Sequence, residues 1–583
     1  MNSLLYRLAG HGDISWLSYY FAELITKQAG VGVDDLLGLG AALVCEANQA
    51  GDVCIDLDAF NGQPLFVSAR LDEAELPRGP DSPGWRAHLT AFDIVGAPGD
   101  AAPLIVEGNR LYLNRYWYYE NRVAEIIVDR LQIDDASTSG FVSDHVNRLF
   151  NGSDEQDRDQ KLAVTMAATK QFSVISGGPG TGKTTTVIRI LSTLISAQPE
   201  IRIALAAPTG KAAARMMESI TNRIDDLDIS DDLRRAIPTR ASTIHRLLGY
   251  GHRSFRYHRE HRIPIDCVVI DEASMIDLGL MFHLLDALPD HARIVLLGDR
   301  DQLASVSAGN VLGDITGHGV SIADTRASIG TSIALLRHSY RFETSSGIGK
   351  LSESVNLGMA RDAIEVLESA DPSIRWFASD RDELDADAMQ WILQAFAPIF
   401  GARSALDALQ IHEASRVLAA TNHGPLGVLR LNRIISNALL GDNGLPESKL
   451  FCGLPIMVTR NHHDLGLFNG DTGILWQQPE GLRACFRDGE GGLRSLALHR
   501  LPEIEPAWVS TVHKSQGSEF DSILLILPSD PDSSALSREL LYTAVTRARH
   551  FFLLQASREA VVGAIGKLTR RYSGLAQRLG WPA

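Results

Sequence analysis

The sequence predicts an α/β protein built from two stacked lobes with parallel sheets, a small β-barrel inserted in the second lobe, and a separate N-terminal α+β domain. Three observations predict it. Apolar strand-length runs recur between helix-length segments in two series, a glycine-rich phosphate loop heads the first series, and a turn-rich stretch interrupts the second. At 583 residues the chain is too long for one core. The expected units are a domain over 1–110, a connecting helical segment and linker over 111–158, a first lobe over 159–345 and a second over 346–583.

Composition narrows the class. A hydrophobic fraction of 45% with 22% charged residues is that of a soluble globular protein, and a net charge of −16 excludes a uniformly basic nucleic-acid coat. It leaves room for a motor with a locally positive track for one strand. Cys45, Cys54, Cys267, Cys452 and Cys485 form no C-x-x-C pair, so neither a zinc ribbon nor a disulfide framework is supported, and a reducing cytoplasm is the expected home. The opening MNSLLYRLAGHGDISW lacks the basic start and apolar core of a signal peptide. No apolar run approaches the ~18 residues needed to span a bilayer, so no membrane association is expected.

In the N-terminal region, helix patterning through Trp16, Leu17, Phe21 and Leu24 precedes the strand-like GDVCIDL and APLIVEG, with no catalytic constellation. Its presumed use is docking to another chain. Gly38 and Gly40 make a lone G-x-G, more often a packing device than a ligand loop. From Arg110 to Arg122, Tyr112, Tyr116, Trp117, Tyr118 and Tyr119 alternate with arginines. They could stack bases or pack one domain on another, and packing is the preferred reading. The polar run Asn151 to Gln160 reads as a linker.

The first series is FSVIS, IALAA, CVVID and RIVLLG; the second is RVLAAT, SILLIL and HFFLLQ. After FSVIS come Gly177, Gly178, Pro179, Gly180, Thr181, Gly182, Lys183 and Thr184, followed by Thr185 and a helical pattern, which fits G-x-x-x-x-G-K-[ST] in the required strand, loop and helix context. The glycines let backbone N–H groups face a triphosphate such as ATP. Lys183 would reach its β and γ phosphates, and the Thr184 hydroxyl would ligate Mg²⁺. The strand Cys267–Ile270 delivers Asp271, expected to hold the metal shell, and Glu272, expected to activate water. LLGDRDQL places Asp299 and Gln302 at another strand end, where the Gln302 amide can sense a γ-phosphate. The stretch Gly251 to Arg262 carries four arginines and three histidines with Phe255 and Tyr257, and reads as a β-hairpin or loop: a wedge beside parted strands, or a solvated or docking surface. Leu454 to Leu501, rich in turn residues, reads as the inserted β-barrel.

The motifs GGPGTGKTTT, APTGKAAARM, STIHRLLG, VVIDEASM, LLGDRDQL, LRHSYRF, STVHKSQGSEF and LLYTAVTRAR occur in the order of superfamily 1 helicases. The chain resembles the RecD family, the alpha subunits of RecBCD exodeoxyribonuclease V, closely from about Asp159 to Gln555 and more loosely before. The resemblance implies RecA-like lobes and a 5′-to-3′ DNA helicase acting at duplex ends in repair and degradation of linear DNA. It implies that Gln160 reads adenine, that Tyr340 stacks on the base, and that Arg341 and Arg547 are arginine fingers. It also implies strand contacts at Pro208, Thr209, Lys211, Thr243 and His245 in the first lobe, and at Thr511, His513, Lys514, Ser515 and Gln516 in the second. Such groups hold phosphates of single-stranded DNA without reading sequence. RecB-like and RecC-like partner chains would supply the nuclease and the scaffold, since DRDELDAD offers no E-x-K for a two-metal site. A stand-alone RecD-like helicase, or a P-loop ATPase switch that unwinds nothing, are the alternatives. Absence of a helix-hairpin-helix signature disfavours the first, and the strand-contact motifs disfavour the second.

Overall fold

The computed structural model describes residues 3–68, 70–133, 139–150, 157–226, 229–251, 254–317, 328–340, 346–440, 450–460, 462–488, 492–501 and 503–582. The N-terminal unit is α+β. Helices Leu4–His11, Trp16–Ala29 and Leu36–Ala50 each begin at a residue whose side chain accepts a backbone N–H: Ser3, Ser15 and Asp35. They pack on a sheet of order β1-β4-β3-β2 formed by β1 (Cys54–Asp56), β2 (Val95–Gly96), β3 (Leu104–Glu107) and β4 (Arg110–Leu113). Leu8, Leu37, Leu57, Trp85 and Leu104 are fully enclosed between helices and sheet. The unit therefore runs to Leu113, slightly past the expected boundary.

Helix Asn114–Leu131 follows at once. Its Tyr119 stacks on Phe282 at 4.4 Å and 19°, and Trp117 is buried. Those rings are occupied in holding the N-terminal unit to the first lobe, which favours the packing reading of the aromatic segment.

The first lobe contains β5 (Phe172–Gly177), β6 (Ile203–Ala207), β7 (Ala241–Thr243), β8 (Cys267–Ile270), β9 (Arg293–Gly298) and β10 (Ile333–Leu336), all parallel in the order β10-β5-β9-β8-β6-β7. Alternate residues of one strand enter different cores: Val174 and Leu296 join Phe282 and Leu284 on one face, and Ile175 and Val295 join Val187 and Leu191 on the other. Two-sided burial explains why these strands read as continuous apolar runs.

The second lobe begins with β11 (Ile374–Ala378) and β12 (Ser415–Ala419). An insertion follows, made of β13 (Pro455–Val458), β14 (Thr472–Gln478), β15 (Gly481–Arg487), β16 (Leu493–Ala497) and β17 (Ile504–Pro506). Then come β18 (Val509–Thr511), β19 (Phe520–Ile526) and β20 (Ala548–Ala556). The lobe's sheet is parallel, ordered β11-β20-β19-β12-β18. The insertion is an antiparallel sheet of order β16-β15-β14-β13-β17. Among the described residues its edge strands β16 and β17 do not pair, so the observed form is an open five-stranded sheet ending at Pro506.

The basic stretch after Tyr250 forms two isolated antiparallel bridges, Gly251 with Ser254 and His258 with His261. Residues 252–253 lie outside the described residues. Phe255 and Tyr257 pack against the first-lobe core rather than standing out as wedge tips.

After helix Arg558–Gly566 the C-terminal tail crosses back to the N-terminal unit. The Tyr572 carbonyl accepts from Val53 N at 2.9 Å, and its N–H donates to Asp52 Oδ1 at 2.8 Å. Glu120, with no solvent exposure, accepts from Ser573 Oγ (2.9 Å), Gly574 N (2.8 Å) and Arg578 Nε (3.0 Å). Trp581 Nε1 donates to the Ile315 carbonyl of the first lobe at 3.1 Å. Among the described residues no helix is long and apolar enough to cross a membrane.

Candidate nucleotide site and strand seam

β5 ends at Gly177, and the chain turns through Gly178 to Gly182 into helix Lys183–Ala197. Gly180 and Gly182 have φ of 80° and 81°, a region that other residues rarely occupy. A Cβ on Gly182 would stand 2.4 Å from Gln160 Nε2, so the close approach of that side chain also needs glycine. Lys183 Nζ donates to the loop's own carbonyls, Gly177 O at 2.6 Å and Gly178 O at 3.0 Å. Thr181 Oγ1 donates to Gly178 O at 2.9 Å, bracing the turn.

β9 pairs with β5 and β8 with β9, all parallel, so their carboxyl ends share one edge with this loop. Asp271 follows β8, its carboxyl pushed up to about 6 by burial and then by Glu272, with Lys183 opposing. Glu272 has φ of 53°, the one left-handed non-glycine among the described residues, and its N–H donates to Asp271 Oδ1 at 2.8 Å. Strain of this kind, held in place by surrounding structure, concentrates at functional sites. Asp299 follows β9; burial, then Asp301, raises its carboxyl. Gln302 Nε2 donates to Asp299 Oδ2 at 3.0 Å.

Lys183, Asp271, Glu272 and Gln302 line one cleft of about 770 Å³ between the lobes, which Pro179, Gly180, Gly182, Thr184, Thr185 and Tyr340 also border. Gln160 closes one end, its Nε2 donating to Thr181 O at 3.3 Å and its Oε1 accepting from Arg189 Nη1 at 2.6 Å. Tyr340 N–H donates to Gly180 O at 2.8 Å and its hydroxyl to Asp157 at 2.9 Å. Arg547 reaches the cleft from the second lobe, with Nη2 donating to Gln302 Oε1 at 2.5 Å. Arg341 lies outside the described residues. The cleft also contains residues the motif reading passed over: Arg189, Arg215, Arg223, Glu519 and Arg549. Arg215, Glu519 and Arg549 sit inside quoted motifs, so the signal was available. Arg215 Nη2 pairs with Glu519 at 2.6 Å across the lobes.

The donor set fits a magnesium triphosphate. A Lys183 ammonium resting on carbonyls can be exchanged onto phosphate, and Thr184 with Asp271 supplies the few protein oxygens that Mg²⁺ takes beside phosphates and water.

The strand-contact candidates are spread over both lobes, outside the residues that line this cleft. Thr209 and Thr243 cap the helices Gly210–Arg223 and Ile244–Leu247, accepting from Ala212 N and Arg246 N at 3.2 Å each. Pro208 lies just before that first cap, half-buried. His245 meets the rings of Tyr250 and Phe255 at 5.6 and 6.0 Å. Lys211 is half-buried, its ammonium pushed down to about 8 by desolvation and then by Arg416. Phe468, from the inserted sheet, seats against Gly210, where a Cβ would come within 2.7 Å of the ring. In the second lobe Thr511 Oγ1 accepts from Lys514 N at 3.3 Å, Lys514 Nζ pairs with Glu505, and burial lowers His513. Ser515 Oγ donates to Val512 O at 2.6 Å and Gln516 Nε2 to Leu303 O of the first lobe at 2.7 Å, so both polar groups are engaged within the protein.

Family models match in three segments: the RecBCD enzyme subunit RecD N-terminal domain over 11–112, an AAA domain over 160–308, and a UvrD-like helicase C-terminal domain over 506–554. The RecBCD enzyme subunit RecD of Mycolicibacterium smegmatis is 39% identical over 94% of each chain. That of Haemophilus influenzae is 34% identical over 99% of each. The ATP-dependent RecD2 DNA helicase of Deinococcus radiodurans is 28% identical, covering 97% of this chain and 72% of its own. With identity of this level along nearly its whole length, the chain belongs to the family of RecD subunits of RecBCD enzymes.

Proposed function

We propose that this chain is an ATP-dependent 5′-to-3′ DNA helicase subunit that works with RecB-like and RecC-like chains to unwind duplex ends in recombinational repair and degradation of linear DNA. The carrying observation is a cleft into which one lobe brings Lys183, Asp271, Glu272 and Gln302 and the other brings Arg547. Lys183 leaves its loop carbonyls for the β and γ phosphates, where the helix behind it adds a positive terminus. Bound Mg²⁺ would neutralise phosphate charge, held by Thr184 and Asp271. Glu272 orients the attacking water, Gln302 senses the γ-phosphate, and Arg547 stabilises charge on the transferring group when the lobes close. Gln160 is proposed to read the adenine base and Tyr340 to stack on it, both bordering the cleft.

The second lobe's inserted five-stranded sheet is proposed to flank the strand path. Pro208, Thr209, Lys211, Thr243 and His245 of the first lobe and Thr511, His513, Lys514, Ser515 and Gln516 of the second are proposed to line that path, holding phosphates without reading sequence. The N-terminal unit is proposed as the docking domain. Its support is helix Trp16–Ala29, which leaves Trp16, Leu17, Tyr20 and Leu24 exposed by 42 to 62% on a soluble surface. The test measures ATP turnover with and without single-stranded DNA, then unwinding of 5′-tailed, 3′-tailed and blunt duplexes by the chain alone and with both partner chains. DNA-stimulated turnover and 5′-tail preference support the reading. Processive unwinding unaffected by the partners and by deletion of residues 1–110 would overturn the subunit assignment.

A further inference from the structure

Tyr542 lies on helix Arg538–Thr546 of the second lobe, buried and without a role in the reading above. Its hydroxyl donates across the seam to Asp299 Oδ2 at 3.1 Å. The same oxygen accepts from Gln302 Nε2 at 3.0 Å, and Gln302 Oε1 accepts from Arg547 Nη2 at 2.5 Å. One helix of the second lobe and the Arg547 that caps it thus supply the two ends of a chain of hydrogen bonds, Tyr542 to Asp299 to Gln302 to Arg547, whose middle belongs to the first lobe. The hydroxyl also abuts the phosphate loop: a Cβ on Gly178 would stand 2.9 Å from it. Beside the chain, Leu303 N donates to Thr543 Oγ1 at 2.9 Å. Arg547 is 2% exposed, and its Nε has no hydrogen-bond partner within the described structure. A buried guanidinium with an unmet donor is incompletely satisfied and stands ready for a better acceptor.

We propose that Tyr542 is the positioning residue that makes Gln302 a two-way switch. With Tyr542 and Gln302 both on Asp299, the Gln302 amide is oriented so that its oxygen holds Arg547. When a γ-phosphate takes Gln302, Arg547 Nη2 loses that acceptor and turns toward the phosphoryl group, while Nη1 stays on the Ser518 carbonyl at 3.2 Å. Movement of the loop at Gly178 presses on the same hydroxyl, so the second lobe feels the nucleotide at the residue that sets the finger. Burial and the Asp299 carboxylate hold the phenol strongly protonated, as a permanent donor.

The inference rests on the cleft being the ATP site, and its test separates the two. Lys183→Ala tests the cleft: undiminished DNA-stimulated turnover there would sink the ATP-site reading itself. With that reading intact, Tyr542→Phe deletes one hydroxyl and keeps the ring's packing. DNA-stimulated kcat should fall about tenfold while KM for ATP stays within about threefold. Combined with Gln302→Ala, it should add no further loss, because a residue acting through Gln302 has nothing left to position. A Tyr542→Phe kcat within twofold of the parent, or a double variant in which the two losses multiply, would overturn the proposal. A folding defect would appear in Tyr542→Phe as lowered thermal stability with KM and kcat both disturbed, and that outcome also counts against it.

Discussion

The two lobes are alike as folds and opposite in how they present chemistry. In the first lobe the cleft residues follow the carboxyl ends of adjacent parallel strands: the loop after β5, Asp271 and Glu272 after β8, and Gln302 after β9. Strand ends in such a sheet splay apart and aim side chains at a ligand. In the second lobe Glu519 and Arg547 come immediately before β19 and β20, at the strand starts. The cleft is therefore split by topology: the proposed phosphate cradle lies on one body and a buried cation, Arg547, on the other. Binding and turnover should separate along the same line.

The largest effects should come from the first lobe. Lys183→Ala should reduce ATP turnover by about 10³-fold or more and weaken nucleotide binding, since its cation meets the phosphates in ground and transition states alike. Glu272→Gln should lower turnover comparably while ATP binding persists, because water activation is lost and the metal ligand Asp271 is untouched. Equilibrium binding of a fluorescent ATP analogue beside steady-state turnover checks both.

Arg547→Ala should lower DNA-stimulated kcat by about 10²-fold with ATP affinity changed less than about threefold, the signature of a group that acts only when the lobes close. If affinity falls as far as kcat, the contrast between a binding lobe and a triggering lobe fails.

Much of the first lobe's half was legible in the sequence because strand, loop and acidic pair are local patterns whose periodicity names their surroundings. Gly180 and Gly182 of the loop, the DE after an apolar strand, and Gln302 at the next strand end all meet in one cleft. What was not legible depends on long-range contact. Nothing in LTRRYSGLAQRLGW announces that Tyr572 to Arg578 will return to Val53 and Glu120. Phe255 and Tyr257 read as exposed aromatics in a basic stretch, yet pack on a core assembled from distant helices. The inserted strands were expected to close into a barrel; the edge pairing that decides closure has no local code.

The tail offers a smaller perturbation that touches neither half of the cleft. Glu120→Ala would leave Arg578 and the Ser573 and Gly574 donors without their shared carboxylate, at about 3 kcal/mol of local stability. Hydrogen exchange should speed at Gly574 and its neighbours while turnover changes little; unchanged protection would show that the strap is held elsewhere. Smaller still, Arg256→Ser with Arg259→Ser, leaving packed Phe255 and Tyr257 in place, should lower duplex unwinding about threefold and strand-stimulated ATPase less. Equal losses would argue against a guiding role at the parted duplex.

The smallest effect sits where the two lobes' chemistry overlaps. Lys211 belongs to the first lobe but feels Arg416, Asp471 and Glu413 of the second, and its ammonium is pushed down to about 8. An unfolded lysine titrates near ~10.4, so between pH ~8 and ~10.4 the unfolded chain binds more protons than the folded one, and stability contributed at this residue rises with pH across that window. Below it the buried charge costs stability. Lys211→Met should therefore stabilise the protein by about 1 kcal/mol at pH 7, a gain that shrinks as pH climbs past 8. On the proposed reading the same charge also contacts the strand. At pH 7 the variant should bind single-stranded DNA more weakly, with the salt slope reduced by about 1, whereas near pH 9.5 parent and variant should bind alike. Parallel titrations of unfolding and of strand affinity distinguish this from simple loss of packing, for a lost contact would shift both curves by the same amount at every pH.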